Sequence, residues 1–385
     1  MTSSPAIGQP ARRLRAGIVG GGRGAFIGSV HRMAAELDGE AQLVAGAMSS
    51  DPKIARESAA AWGLARSYAS YTDMAAAEAG AENGIDFVII ATPNHLHYPV
   101  ARAFLASGIH VVCDKPLALT VQEGEELVGL VAGGRTLFAL THNYTGYPAV
   151  REARDRVRAG ELGVLRKVLT EYSQDWLMEP LEAQGNKQAA WRTDPARAGL
   201  GGCIADIGTH AANLLEFVTG RQIEEVCADL TTFVSGRRLD DDANLLLRLQ
   251  GGAKGTLACS QVACGEENRL SLRLYGSRGG LEWHQQEPNT LILKPAGRPW
   301  SLLRVGHSYL GESARAATRL PPGHPEGYLE AFANLYRAFM RDVRRVQSGE
   351  APLNDYPGVR DGLRGLRFVA RAVESSQSGS AWLRV

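Results

Sequence analysis

Residues 15–145 alternate short apolar runs with amphipathic stretches, and this alternation restricts the fold more than any other feature of the chain. The runs are "RAGIVG", "QLVAGAM", "FVIIATP", "HVVCDKP" and "TLFALTHNY". Between them, "SVHRMAAEL", "KIARESAAAWG", "YPVARAFLASG" and "TVQEGEELVGLVA" carry helical spacing. Strands that are apolar on both faces belong in a sheet covered on both sides. The pattern therefore predicts an α/β domain with a doubly wound parallel sheet of Rossmann type over 15–145. Such sheets bind ligands beyond the carboxyl ends of their strands. The residues that close each apolar run are the first place to look for chemistry.

Beyond residue 145 the texture changes. A helix ("YPAVREARDRVRAG") and a long strand ("LRKVLTEYSQDW") lead to a polar loop and then to "GGCIADIGTHAANLLEFVTG", helical after Ala205. Strand candidates follow in series, several joined by glycine turns such as "QGGAKG" and "GSRGG". These predict an α+β domain over 146–385 with a large, mostly antiparallel sheet. "YLEAFANLYRAFMRDVRRV" and "RDGLRGLRFVARAVESSQSG" are amphipathic helices, the second expected to pack back on the first domain. Two domains suit a chain of 385 residues. Residues 1–14 are expected to be a disordered tail.

The charge balance, 42 basic against 41 acidic residues, leaves no basic excess for nucleic acid. No apolar run is long enough for a membrane span. Five scattered cysteines without a C-x-x-C point to reduced thiols in a cytoplasmic protein.

Three stretches carry candidate chemistry. In "GIVGGGRGAFIGSVH", Gly20, Gly22 and Gly28 lie between the first strand and the first helix, where backbone amides can meet a dinucleotide pyrophosphate. The span from Gly22 to Gly28 is longer than in G-x-G-x-x-G. The second strand ends on Met48, Ser49 and Ser50, with Asp51 just beyond and no arginine beside it. That tip favours NAD and leaves NADP open.

The second stretch contains two consecutive strand ends. "ATPNHLH" and "DKP" direct Thr92, Pro93, Asn94, His97, Asp114 and Lys115 at the cofactor crevice. Lys115 can hold a hydroxyl, polarise a carbonyl or relay a proton, with Asp114 offsetting its charge. A solvated Asp–Lys pair accounts for "DKP" equally well. His95 and His97 have the i, i+2 spacing of metal ligands, but no carboxylate cluster accompanies them, and no metal is expected.

In the third stretch Asp206 and His210 stand four apart, one helical turn on one face, after a glycine run. Histidine is the default general base near neutral pH.

Taken together these motifs resemble the Gfo/Idh/MocA oxidoreductases (glucose–fructose oxidoreductase, inositol 2-dehydrogenase and rhizopine catabolism). Asp114-Lys115-Pro116 looks like the family's Glu-Lys-Pro, Asp206 and His210 match its D-x-x-x-H, and Trp191-Arg192 match its Trp-Arg pair. The resemblance implies hydride transfer between NAD(P) and a ring secondary hydroxyl of a sugar, glycoside, anhydrosugar or cyclitol. It also implies a homodimer or homotetramer. Lys115, Asp206 and His210 become the catalytic candidates. The cofactor set is Gly20, Gly22, Arg23, Gly24, Phe26, Ile27, Ser49, Ser50, Thr92, Pro93, Asn94, His97, Asp114, Lys115, Asn143, Trp191 and Arg192. Substrate contacts are expected from Lys115, Tyr144, Gln174, Trp176, Arg192, Asp206 and His210. A reductase of a keto-sugar or imine and a non-catalytic dinucleotide sensor are the competing readings.

Overall fold

The computed structural model describes residues 12–385. The strands of the first sheet are β1 (Leu14–Gly20), β2 (Ala41–Ala47), β3 (Arg66–Ser67), β4 (Phe87–Ala91), β5 (His110–Cys113) and β6 (Phe138–Leu140). They are parallel and run in the order β3-β2-β1-β4-β5-β6. This is the dinucleotide-binding order, with its reversal point between β1 and β4. The helices between them are α1 (Phe26–Glu36), α2 (Pro52–Ala61), α3 (Tyr71–Ala79), α4 (His97–Ala106) and α5 (Val121–Gly133). Local chemistry sets their starts: Asp51 caps α2 ahead of Pro52, and Thr120 with Glu123 forms a capping box on α5. The two-residue strand β3 has no apolar run to announce it.

The part of the expected tail that lies within the described residues is ordered. Leu14 opens β1, and Arg12 makes a bidentate pair with Asp86 at 2.7 Å. Residues 1–11 of that tail lie outside the described residues.

Next come α6 (Pro148–Arg158), β7 (Leu165–Ser173), α7 (Lys187–Arg192), α8 (Pro195–Ala198) and α9 (Thr209–Thr219). The strands β8 (Ile223–Thr231), β9 (Asp242–Leu249), β10 (Lys254–Ser260), β11 (Arg269–Gly276), β12 (Gly279–His284), β13 (Thr290–Pro295) and β14 (Ser301–Arg304) follow. α10 (Glu312–Ala316), α11 (Tyr328–Gln347), α12 (Val359–Gln377) and β15 (Leu383–Arg384) complete the chain. The nine strands order as β14-β13-β12-β11-β7-β10-β9-β8-β15. All neighbours are antiparallel except β7 and β10. That parallel pair, in register at Ser173 and Ser260, delivers Gln174 and Gln261 side by side at one end of the sheet.

Both long C-terminal helices return to the first sheet, whereas the sequence had suggested only the last. On α11, Phe332, Tyr336 and Phe339 are buried against the Rossmann strands, with Phe339 edge-on to Phe87. His31 of α1 meets the Tyr336 hydroxyl at 2.7 Å. The reason is visible in the sheet: its flank at β1 and β4 needs an apolar cover that α1 alone does not supply. α12 lies between α5, β6 and β8, so it spans both sheets.

At the rim of α11, Asp38 is clamped by Arg319 and Arg337, with contacts of 2.6 to 3.0 Å. Burial alone would raise this carboxyl, but the two guanidinium groups bring it down to about 2. A depressed carboxylate stabilises the fold above its unfolded value of 3.8 and loses that contribution as pH falls towards about 2. Asp38→Asn should therefore cost about 1 kcal/mol at neutral pH, after allowing for solvent screening. It should also flatten the acid limb of a urea-unfolding series across that window.

Candidate active site

The carboxyl ends of β4, β5 and β6 lie side by side, and the loops that leave them form one wall of a cavity of about 820 Å³. The opposite wall comes from the second sheet and its helices. The cavity brings together Phe26, Ile27, Thr92, Pro93, Asn94, Asp114, Lys115, Asn143, Tyr144, Gln174, Trp176, Trp191, Arg192, Asp206 and His210, all expected from sequence.

Lys115 is the pivot. Its ammonium donates to the Asp206 carboxylate at 2.5 Å and to the Asp206 carbonyl at 2.7 Å. Two of its three protons are thereby used, and one remains for another acceptor. The expected partner, Asp114, is occupied elsewhere: its Oδ1 accepts the Lys115 backbone N–H at 2.9 Å and the Thr141 hydroxyl at 3.0 Å. The aspartate turns back onto its own loop, so it shapes the strand end while Asp206 balances the lysine charge. The Lys115–Pro116 peptide bond is cis.

Asp206 sits in a π-helical turn, Ile204–Gly208, rather than in the α-helix that the four-residue spacing suggested. α9 begins only at Thr209, and both Asp206 and His210 still line the cavity. The turn is anchored by Asp240, whose carboxylate accepts the N–H groups of Gly202 and Ile204, each at 2.7 Å. The second Asp206 oxygen takes a hydrogen bond from Gln261 at 2.8 Å and pairs with Arg192 at 3.3 Å. Burial would raise this carboxyl, but Lys115 and Arg192, together with the Lys115 and Gln261 hydrogen bonds, hold it well below the usual carboxylate range.

His210 is buried and its pKa lies well below the ordinary imidazole value. Burial is the main cause, with Lys115 and His142 adding to it and Asp206 opposing. It is therefore neutral at physiological pH and can accept a proton. Its Nδ1 faces the His142 Nδ1 at 3.4 Å. Tyr144 packs edge-on against the same ring, and its hydroxyl meets that of Tyr172 at 2.5 Å. Asn268 accepts from both Tyr172 and Gln174 at 2.7 Å. On the far side the Arg192 guanidinium lies over Trp191 at 4.1 Å and Trp176 at 5.6 Å. Trp176 follows the end of β7 instead of lying on it.

His97 does not line the cavity. It is 1% exposed, and its ring bridges the Pro116 carbonyl (2.5 Å) and the Thr92 carbonyl (2.9 Å). Burial keeps the ring neutral, so it donates to one of these two carbonyls while its other nitrogen faces the second. Among the described residues no group of three His, Cys, Asp or Glu is placed to hold a metal.

Gly20, Gly22, Arg23, Gly24, Ser49 and Ser50 lie outside this cavity, at the tips of β1 and β2. A Cβ on Gly20 would stand 2.5 Å from the Ala91 carbonyl oxygen, and one on Gly28 would stand 2.3 Å from the Gly21 Cα. Those glycines let α1 and the turn close onto the strands. Gly24, at φ +83°, has nothing within 4 Å of a Cβ and is the loop position open to an approaching group.

Sequence reasoning did not single out His142, Tyr172, Gln261 or Asn268. His142 stood inside the quoted "THNY", one residue before Asn143. Gln261 became legible only through the parallel β7–β10 pairing.

A parallel dinucleotide sheet and a second sheet that meet over a polar cavity holding Lys, Asp and neutral His define a two-domain nicotinamide-linked oxidoreductase. Residues 14–142 match the model of the oxidoreductase family with the NAD-binding Rossmann fold, and residues 150–282 match the GFO/IDH/MocA C-terminal domain. The chain belongs to the Gfo/Idh/MocA family. It is 46% identical to an oxidoreductase from Sinorhizobium meliloti, with a TM-score of 0.87 over 97% of this chain and 100% of that one. An inositol dehydrogenase homologue from Azotobacter vinelandii, complexed with NADH and myo-inositol, is 35% identical, with a TM-score of 0.91 over 97% and 98% of the two chains. Levoglucosan dehydrogenase from Pseudarthrobacter phenanthrenivorans is 26% identical over 73% of this chain and 76% of its own.

The residues present fit a dinucleotide. Among the described residues, the Thr92 hydroxyl and the Asn143 amide nitrogen are buried with no protein partner, and both residues line the cavity. Buried polar atoms of this kind are satisfied by a ligand or water.

Asp206→Asn leaves Lys115 and Arg192 with no counter-charge in a buried setting. The variant should lose about 3 kcal/mol in urea unfolding at neutral pH.

Proposed function

We propose that the chain is an NAD-dependent dehydrogenase that oxidises a ring secondary hydroxyl of a sugar, glycoside, anhydrosugar or cyclitol. The observation that carries this reading is the convergence of Lys115, Asp206 and neutral His210 on one cavity beyond the strand ends. Bound NAD supplies the hydride acceptor, at nicotinamide C4. The carbinol hydrogen leaves with the C–H bonding pair as hydride, and the hydroxyl proton passes to His210 Nε2, so the carbinol becomes a ketone. The remaining proton of Lys115 donates to the substrate oxygen and stabilises its developing charge. Asp206 holds Lys115 in place through its carboxylate and carbonyl. His210 returns its proton to solvent after the ketone leaves.

Thr92, Asn94 and Asn143 are proposed to hold the cofactor together with the β1–α1 turn. Arg192, Trp176 and Tyr144 are proposed to meet the substrate, since aromatic faces beside polar groups suit a ring with an apolar C–H face and hydroxyl edges. The choice of NAD over NADP is supported by the relatives: an inositol dehydrogenase homologue and levoglucosan dehydrogenase hold NAD+ or NADH. The Asp51 carboxylate, which caps α2 at 2.8 and 3.2 Å, adds nothing to it. Residues 146–385 serve as the substrate side, and the open nine-stranded sheet, whose exposed face and edges need covering, favours association into a closed oligomer.

The test is reduction of NAD and NADP across a panel of sugars, inositols and anhydrosugars, with ketone reduction run in reverse. Lys115→Ala and His210→Ala should each lower kcat by roughly 10²–10⁴-fold while NAD binding, followed by calorimetry, persists. Near-normal turnover in both variants would overturn the assignment.

A further inference from the structure

We propose that His142 is a positioning residue that fixes the tautomer of His210, holding its proton on Nδ1 so that Nε2 presents a lone pair to the substrate hydroxyl. This rests on the reading of His210 as the base.

The geometry is specific. The two Nδ1 atoms face each other at 3.4 Å, and the rings meet edge to face with centroids 5.2 Å apart. Two lone pairs, or two N–H groups, pointed at each other would repel, so one ring must donate and the other accept. With Nδ1 turned to His142, Nε2 is the nitrogen left for the cavity that His210 lines. The Lys115 ammonium is charged against both rings. A lone pair on the cavity side is attracted by that cation, whereas an N–H dipole there is repelled. The proton of neutral His210 therefore sits on Nδ1 and is donated to His142 Nδ1, and His142 carries its own proton on Nε2.

His142 is suited to accept. It is 2% exposed, and burial with Lys115 nearby brings its pKa down to about 3, Asp114 opposing. It is therefore neutral at physiological pH. Its backbone is pinned on both sides: its N–H bonds the Leu140 carbonyl at 2.8 Å, and its carbonyl takes the Thr145 hydroxyl at 2.8 Å. The other titratable and charged groups around the pair are Asp114 and Lys115 after β5, Tyr144 after β6, Tyr172 on β7 and Asp206 in the π-turn. Tyr144 and Tyr172 are pushed upward by burial and stay protonated, and their hydroxyls are bonded to each other. None of the hydroxyls or carboxylates bonds to His210, so among the described residues His142 is its only side-chain hydrogen-bond partner.

When His210 takes the substrate proton on Nε2, the Nδ1–H bond to His142 strengthens because its donor becomes cationic. The pair thus orients the base.

Histidine ¹⁵N chemical shifts of the resting protein at neutral pH test the tautomer directly. The expected pattern is Nδ1–H for His210 and Nε2–H for His142, and the reverse pattern overturns the proposal whatever the activity. Kinetics of two variants test its consequence. His142→Phe keeps a ring but removes the acceptor. It should lower kcat by roughly ten- to a hundred-fold at unchanged KM. His142→Asn places an oxygen close to where Nδ1 stood and should recover most of the turnover. His142→Phe with wild-type kcat, or His142→Asn no better than a folded His142→Phe, overturns the proposal. Full turnover in His210→Ala would instead remove the base assignment and leave the ¹⁵N result standing on its own.

Discussion

The contact between Lys115 and Asp206 is the interaction on which the rest of the site depends. It joins the end of a Rossmann strand to the π-turn of the other sheet through a 2.5 Å ion pair. Neither partner is more than one-fifth exposed, with side-chain accessibilities of 14% and 18%. A lone charge at either position would carry a large desolvation penalty, so each requires the other. Gln261 and Arg192 complete the carboxylate's shell. Burial is the main reason that His210 is neutral, and the Lys115 ammonium beside it adds to that.

The two sheets contribute different things. The parallel sheet gathers three strand ends at one edge, which is a consequence of its handed crossovers. The second sheet is antiparallel except for β7 and β10, and that exception places Gln174 and Gln261 together at the cavity. The helices α11 and α12 then hold the two halves in one relation, α11 through its buried aromatic face and α12 by lying against both sheets. The base and the lysine come from opposite halves, so this fixed relation sets the distance between them.

Two assignments moved for instructive reasons. His97 follows a strand end and has the look of a ligand-facing residue, yet its buried, neutral ring sits between two loop carbonyls and donates to one of them. Asp114 stands next to Lys115 in the chain but bonds Thr141 and its own loop, because its short side chain reaches the backbone more easily than the ammonium. Adjacency in sequence gave the wrong electrostatic partner, and the partner 91 residues away took the role.

The sequence by itself determined the parallel α/β domain, the mostly antiparallel second domain, and Lys115, Asp206 and His210 as the residues to watch. Those follow from local rules: apolar runs, turn residues, and charges at strand ends. Only the tertiary structure decided that α11 belongs to the Rossmann core, that Asp206 lies in a π-turn, and that His142 and Gln261 stand behind the site. These depend on the register between β7 and β10 and on which buried polar atoms find partners across the two halves. Contacts between residues distant in the chain have no local signature, because they are selected by the free energy of the whole packed core.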